Sequence, residues 1–399
     1  MRLQRGIAVV ALGLAAGLPA LGGITVYEDD DSPRKIEIGG RIQAMYSGVD
    51  PSCGSGIMCL ENDGGDEFDS YLDRWLFRRL RPYIAGTVTE HWLGKIEVDF
   101  GESLESDEVQ IKDAYFVYSG FENEDSRLYV GNSKSVFGRE FLNSSASLVR
   151  VERGFAGDHN FGVPDRALGV GFESRVRDGK LSYQLNAGAQ HHDPAINRMD
   201  FDSPVNNQGD WNEGLLVAGR VDVHPLGHMK FSQGDFDRGG SKVTIGIGAF
   251  TWTNDDDNNS YTMAPTTKVD LDQAHGYELS AAYRGHGVTV DAEFQVVSGD
   301  TVVEGFTGGL YRNGTTDLEK ISLVGSYMVV PSRLEVVAGF EQQDADNYED
   351  EFTRTSGGLN WYINRNDLKL QVQYQAVESF IGLAGQDQNV WLVSTQFAF

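Results

Sequence analysis

The sequence predicts an all-β fold, a transmembrane antiparallel up-and-down β-barrel of about 16 strands. Three observations lead to this prediction: an alternating C-terminal segment, the same alternation along most of the chain, and short connections that alternate with long ones. The C-terminal segment places four apolar side chains on one face, Trp391, Val393, Phe397 and Phe399. A strand between lipid and a lumen shows this period of two.

The N-terminus has the features of a secretory signal peptide. Arg2 and Arg5 form a basic start, residues 7–18 are apolar, and Ala20-Leu21-Gly22 offers a small-x-small cleavage site. The apolar run is shorter than the roughly 20 residues of a spanning helix, which disfavours a membrane anchor. We therefore expect a signal peptide over residues 1–22 and a single barrel domain over residues 23–399.

The composition excludes one class of partner. Asp and Glu number 59 against 33 Lys and Arg, giving a formal net charge of −26. Nucleic-acid binding normally requires a basic face, so no nucleic-acid partner is expected. The mean hydropathy of −0.34 does not argue against a barrel, because only every second residue of a spanning strand must be apolar.

The chain has 2 cysteines, Cys53 and Cys59, in a segment rich in glycine and serine. In an oxidising compartment they would close a small loop disulfide, although two unpaired thiols remain an alternative. A metal site would require further ligands that this spacing does not provide.

Alternation and turn residues place sixteen strands along the chain. They are predicted near 35–48, 71–88, 92–101, 108–118, 126–134, 165–176, 180–191, 212–223, 241–253, 274–284, 288–298, 318–330, 333–343, 351–362, 367–379 and 388–399. Short turns such as Arg177-Asp178-Gly179 and Pro331-Ser332 alternate with long connections, as a barrel with one short-turn rim and one long-loop rim requires. The connection 224–240 is too long for this scheme, so it marks either a boundary error or an unusual turn.

Several strands separate an apolar face from a polar one. In the strand near 367–379, Leu370 and Val372 alternate with Lys369, Gln371 and Gln373. Such a polar face cannot be buried dry without hydrogen-bond partners. A water-filled lumen would solvate it, and sixteen-stranded barrels leave such a channel.

Motifs in the first half of the chain occur in a characteristic order. They are Ile38-Gly39-Gly40-Arg41-Ile42-Gln43, Leu76-Phe77-Arg78-Arg79, Ile96-Glu97-Val98-Asp99-Phe100, Ile111-Lys112-Asp113-Ala114-Tyr115-Phe116-Val117-Tyr118, Leu128-Tyr129-Val130-Gly131-Asn132-Ser133-Lys134, Phe137-Gly138, Ser144-Ser145, Glu152-Arg153 and Gly169-Val170-Gly171. As an ordered set, over roughly residues 36–176, they resemble the phosphate-selective porin O/P family of Gram-negative bacteria.

The resemblance implies a homotrimer in the Gram-negative outer membrane, in contact with lipid and lipopolysaccharide. It also implies an inward-folded third loop, here about residues 135–164, and basic residues along a pore that passes small anions such as phosphate. A porin performs no chemistry and needs no cofactor.

Candidate pore residues follow from strand parity and from the expected constriction loop. Parity places seven basic side chains in the lumen, Arg41, Arg79, Arg81, Lys95, Arg175, Arg220 and Lys369. The loop and its approach add Lys134, Arg139, Glu140, Arg150, Glu152, Arg153 and Asp158. Guanidinium groups offer forked donors to phosphate oxygens, although each base could instead pair with a lumen acid such as Glu97 or Asp222.

Acidic clusters in the long loops leave the ion preference open. They comprise Glu61, Asp63, Asp66, Glu67 and Asp69, then Asp255, Asp256, Asp257, Asp270 and Asp272, and finally Asp344, Asp346, Glu349, Asp350 and Glu351. They favour a cation-preferring or substrate-specific channel as the alternative, and could bind divalent cations that bridge lipopolysaccharide phosphates.

An outer-membrane enzyme is the alternative from another class. His191-His192-Asp193 with Asp210 could form a hydrolytic site, but His-His-Asp-Pro is more typical of a plain turn. No nucleophile elbow and no His-x-x-x-His metal motif occurs in the sequence. We therefore predict a channel without enzymatic activity.

Overall fold

The computed structural model describes residues 23–53, 74–101, 109–206, 213–255 and 268–399. Strands within these ranges are β1 Ile24–Glu28, β2 Lys35–Cys53, β3 Arg74–Thr89, β4 Trp92–Asp99, β5 Gln110–Tyr118, β6 Arg127–Lys134, β7 Arg166–Val176, β8 Leu181–Asp193, β9 Asp200–Asp202, β10 Glu213–Val223, β11 Lys242–Asn254, β12 Leu271–Gly285, β13 Val288–Thr301, β14 Thr315–Val330, β15 Leu334–Ala345, β16 Phe352–Asn364, β17 Leu368–Glu378 and β18 Gln386–Ala398. Helical turns cover Arg139–Leu142, Ser145–Ser147, Pro204–Asn206 and Phe380–Gly382.

Strands β2–β8 and β10–β18 form a closed antiparallel barrel of 16 strands among the described residues. Each strand pairs with the next, β10 pairs with β8, and β18 returns to pair with β2. The C-terminal residue takes part in the closure, because Phe399 and Gly40 exchange backbone hydrogen bonds of 2.9 and 3.0 Å. The short strands β1 and β9 pair only at the margins, with β2 and β8. The predicted fold class is confirmed.

The short turns explain why the strand boundaries are readable from the sequence. Between β12 and β13 only His286 and Gly287 intervene, with φ of 57° and 85°. Positive φ at both central positions suits the right-handed twist of a hairpin, and Gly287 accepts it without cost. The connection between β10 and β11 is a genuine long turn, since β10 ends at Val223 and β11 begins at Lys242.

Side chains alternate between the two sides of the barrel wall. On β11 and β12, outward Ile245, Ile247 and Leu279 are 51%, 59% and 55% exposed, while the residues between them are buried. The outward positions form an apolar belt of the kind that faces lipid. Among the described residues, no helix is long and apolar enough to span a membrane.

Part of the interior is an apolar core and not a water-filled lumen. Inward Leu216, Phe250 and Trp252 pack with Phe137 and Met199, which come from two of the long connections. The water-filled lumen predicted from the polar strand faces therefore does not extend to this part of the wall. The reason is that long connections fold over inward side chains and exclude water from them.

Candidate functional site

Residues 135–164, named here the inner segment, lie inside the barrel. The segment hydrogen-bonds to inward side chains on strands from different sides of the wall: Arg41 on β2, Asp291 on β13, Glu341 on β15 and Gln373 on β17. Only a segment that crosses the interior can reach all of these strands. The strands that the inner segment covers and the strands that it leaves open to water therefore have different surroundings.

The inward side of β10–β18, named here the dry wall, is sealed by ion pairs with the inner segment. Arg139 contacts Asp291 at 3.1 Å, and Arg150 lies between Glu140 and Glu341, 2.9 Å from the latter. Both guanidinium groups are at most 3% exposed. On the wall itself, Arg220 pairs with Asp222 at 2.8 Å and with Glu278. These predicted pore residues thus have almost no contact with water.

Backbone carbonyl groups satisfy the polar face of β17. The Lys369 ammonium donates to the Leu148 carbonyl at 2.9 Å, and Gln371 donates to the carbonyls of Leu148 and Val149. The inner segment therefore supplies the hydrogen-bond partners that a buried polar face requires. For this reason a strand with alternating apolar and polar side chains can turn its polar face toward a dry interior.

The inward side of β3–β8 keeps contact with water and is named here the exposed strip. Its partly exposed inward side chains are Arg81, Lys95, Glu97, Asp113, Tyr115, Tyr129, Glu173 and Gln184. Lys95 bridges Glu97 and Asp113 at 2.8 Å each, and Arg166 contacts Asp113 at 2.9 Å. The strip thus carries charges of both signs.

A β-bulge on β3 adds a pore residue that parity alone does not find. The register against β2 shifts where Gln43 pairs with Arg79 and Ala44 pairs with Phe77, so Arg78 is the extra residue. Arg78 and Arg79 consequently both contact Glu152. The sequence does contain a signal, because strict alternation would place Arg78 toward lipid, which is costly.

The Glu152 carboxylate joins the two arginines of the bulge. One oxygen accepts from Arg78 Nε at 3.1 Å and Arg79 Nη1 at 3.2 Å, and the other accepts from Arg79 Nη2 at 3.0 Å. Burial raises the pKa of the Glu152 carboxyl, but Arg78 and Arg79 outweigh this and bring it down to about 2. Glu152 is therefore a permanent anion at neutral pH.

Two further cations, one at the end of β6 and one on the inner segment, have no carboxylate partner among the described residues. Lys134 Nζ donates to the carbonyls of Phe141 and Asn143 at 2.7 and 3.2 Å. Arg153 donates to the same two oxygens at 3.2 and 2.8 Å. Burial and the neighbouring Arg79 charge lower the pKa of Arg153 to about 10, so it stays protonated at neutral pH. Both cations are therefore held by carbonyl oxygens and not by an ion pair.

Three further predicted site residues make other contacts. Arg41 is buried, donates to Ser145 at 2.8 Å and lies directly across from Arg81 in the pairing of β2 with β3. Arg175 pairs with Asp125 at the short-turn rim, and Asp158 accepts hydrogen bonds of 3.2 Å from the backbone and side chain of Asn160. Arg41 is therefore a neighbour of the charges around Glu152, whereas the described contacts of Arg175 and Asp158 lie elsewhere.

Some sequence-based predictions cannot be compared with the structure. Cys53 ends β2, but Cys59 lies outside the described residues, so their pairing stays a prediction. The acidic cluster of residues 61–69 and two members of the second cluster, Asp256 and Asp257, also lie outside them. Asp272 and Asp344 belong to β12 and β15, not to loops. In the described part of the chain, no group of three or more His, Cys, Asp or Glu side chains suits a metal ion.

The proposed hydrolytic triplet lies in a strand, contrary to the expected turn. His191, His192 and Asp193 end β8, which continues further than predicted. His192 is buried against the rings of Phe201 and Trp252, at centroid distances of 5.5 and 5.9 Å. Asp193 pairs with Arg198 at 2.6 Å, and Asp210 is outside the described residues. The described contacts of His192 and Asp193 are therefore ring packing and an ion pair.

Comparisons with known proteins agree with the barrel and with the resemblance. Residues 58–227 match the family model "Phosphate-selective porin O and P", which confirms the family resemblance found in the sequence. A search of curated proteins finds no match.

Similar solved structures are outer-membrane proteins and channels. OmpT of Vibrio cholerae has a TM-score of 0.58 at 11% identity, with 94% of this chain and 99% of that chain covered. A trimer form of OmpT has a TM-score of 0.55 at 11% identity, with 92% and 99% covered. An anion-selective porin from Comamonas acidovorans has a TM-score of 0.57 at 11% identity, with 92% and 100% covered.

The channel DcaP of Acinetobacter baumannii has a TM-score of 0.55 at 13% identity, with 94% of this chain and 99% of that chain covered. Identities this low show the fold alone. Together with the family match, they show that the chain is an outer-membrane β-barrel of the porin type.

Proposed function

We propose that this outer-membrane channel is a porin for passive diffusion of small ions and solutes, with a preference for anions. The observation that carries the proposal is the unpaired positive charge beside the exposed strip. Among the described residues, Lys134 and Arg153 donate to carbonyl oxygens and lie over the ring of Phe141, and Arg153 is near Arg79 of β3. A permeating anion would supply the missing negative charge.

The basic side chains of this region support anion preference. Arg78, Arg79 and Arg81 pair with Glu152 and Asp99, whereas Lys134 and Arg153 form no ion pair with a carboxylate of the described residues. Next to low-dielectric protein the fields of these charges reach further than in bulk water. Guanidinium forks suit oxyanions, and the partial exposure of Arg78, Arg81 and Arg153 lets these sites release an ion.

The competing proposal is a cation preference. Glu97, Asp113 and Glu173 line the exposed strip nearer to the short-turn rim, and the long loops are acidic. Glu97 and Asp113 are already held in ion pairs, with Lys95 between them and with Arg166 between Asp113 and Asp165. Loop charges at the mouth are screened beyond about 8 Å at physiological salt, whereas the inner cations lie along the path itself. We therefore favour anions.

The remaining features of the proposal follow the family resemblance. We propose a homotrimer, supported by the trimer form of OmpT, and secretion with a cleaved signal peptide. Divalent cations at the acidic loops would link the protein to lipopolysaccharide. No catalytic role is proposed, since conduction alone accounts for the charges described.

The reversal potential of the purified protein in planar bilayers across a KCl gradient tests the proposal. Wild type should prefer chloride, and Lys134→Gln and Arg153→Gln should each move the reversal potential toward potassium by several millivolts. Arg365→Gln is the matched control, because this substitution removes the same charge from a side chain that is 56% exposed at the rim. A potassium preference of the wild type, unchanged in all three variants, would refute anion selectivity and leave only a porin.

A further inference from the structure

We infer that the Glu152 carboxylate is a tethered anion that occupies an oxyanion-binding site formed by Arg78 and Arg79. The inference rests on the proposed anion-conducting function and adds the residue that regulates the affinity for oxyanions. A permeating phosphate or similar oxyanion must displace Glu152 before it contacts both arginines. Glu152 therefore keeps the affinity of the channel for oxyanions low.

The geometry around Glu152 is that of a bound oxyanion. Its two oxygens receive three N–H donors from two guanidinium groups, at 3.0 to 3.2 Å. Paired guanidinium forks select planar or tetrahedral oxyanions by this arrangement of donors. The bulge at Arg78 is what directs both arginines inward, so the site is a built feature of β3.

A comparison with Asp99 shows why Glu152 can be displaced. Asp99 pairs with Arg81, but it also accepts backbone N–H groups of Leu80 and Gly101 at 3.0 Å each, and it is 1% exposed. The described hydrogen bonds of Glu152 come from arginine side chains alone, and its side chain is 15% exposed. Water and solutes can therefore reach Glu152, whereas Asp99 is fixed.

The residue that follows Glu152 completes the site. Arg153 has no carboxylate partner among the described residues, and the Arg79 charge is close enough to lower the pKa of Arg153. When Glu152 moves away, Arg153 adds a positive charge beside the arginine pair. The inner segment thus carries both the occupying anion and an additional cation.

The test is block of KCl current by inorganic phosphate in planar bilayers, with the purified full chain. Glu152→Gln keeps the size of the side chain and removes its charge. The half-blocking phosphate concentration should fall about tenfold or more relative to wild type. Arg78→Gln in the Glu152→Gln background should restore the wild-type value, because the arginine pair is lost.

Glu97→Gln is the matched control, since it also removes one carboxylate from the exposed strip. It leaves Lys95 paired with Asp113, so phosphate block should stay at the wild-type level while the reversal potential shifts. The inference would be overturned if phosphate block became stronger by the same factor in Glu152→Gln and Glu97→Gln. It would also be overturned if phosphate block did not become stronger in Glu152→Gln. Heat-modifiable migration in detergent gels verifies that each variant is folded.

The two proposals can fail separately. A wild-type channel that prefers potassium would contradict anion preference, yet strong phosphate block in Glu152→Gln would still support the tethered anion. An anion-preferring wild type with phosphate block unaltered by Glu152→Gln would retain the proposed function and refute the tethered anion.

Discussion

The dry wall and the exposed strip arise from the same sequence pattern but have opposite surroundings. On the dry wall, Arg220 contacts Asp222 and Glu278 without access to water. On the exposed strip, Lys95 makes two comparable ion pairs yet keeps part of its surface in water. The difference teaches that strand parity decides which way a side chain points, while the inner segment decides whether it meets water.

The comparison also separates two uses of charge. Buried ion pairs repay their desolvation only when both partners are present, so the dry wall depends on complete pairing. Partly exposed charges contribute little to stability but remain available to a solute. Mutations should therefore affect folding on one side and conduction on the other.

The largest expected effect is loss of a buried charge partner. Arg150→Ala leaves Glu140 and Glu341 beside each other without their shared cation, which should destabilise the native state by about 3–5 kcal/mol. Urea unfolding in detergent measures this change. Release of the inner segment should also raise the single-channel conductance.

Arg175→Ala is the comparison on the water-exposed side. Its side chain is 30% exposed and pairs with an exposed Asp125, so its loss should cost less than about 1 kcal/mol. Equal losses of stability for the two arginines would contradict the distinction between the walls.

Two neighbouring leucines on β10 sharpen the comparison between the inside and the outside of the wall. Leu216 is 0% exposed in the apolar core, and Leu215 is 59% exposed on the outward belt. Leu216→Ala should destabilise the protein by roughly 2–5 kcal/mol through cavity formation, and Leu215→Ala by far less. Urea midpoints of the two variants check this, and a reversed order would show that the interior is hydrated at Leu216.

A pair of lysines compares the two walls by conduction. Lys95→Gln removes a positive charge in contact with water, so the reversal potential should move several millivolts toward cations. Lys369→Gln removes a charge buried behind the inner segment, where Gln can still donate to the Leu148 carbonyl. The same KCl-gradient measurement should detect almost no shift for Lys369→Gln, and a shift equal to that of Lys95→Gln would place Lys369 along the ion path.

The sequence allows most of the barrel to be predicted, but only part of the site. Strand ends fall within a few residues of prediction because turns such as His286-Gly287 interrupt the period of two. Parity correctly points Arg220 and Lys369 inward, but periodicity contains nothing about the inner segment that covers them. Arg78 escapes the pattern because a bulge adds one residue and redirects the side chain.

The smallest expected effect concerns pH. Because Arg78 and Arg79 hold the pKa of Glu152 at about 2 instead of its usual 4.5, its carboxylate stays charged on acidification from about pH 7 to about pH 4. A group with a depressed pKa loses its proton first and regains it last, so Glu152 should occupy the arginine pair throughout this range. Sulfate is the suitable blocking ion, because its charge does not change over these values. Sulfate block of the wild type should vary less than about twofold with pH. At both ends of this pH range, sulfate should block the Glu152→Gln channel more strongly than the wild type. If acidification instead gave the wild type the strong block of Glu152→Gln, the carboxylate would be titrating normally, and the arginines would not hold it as the structure describes.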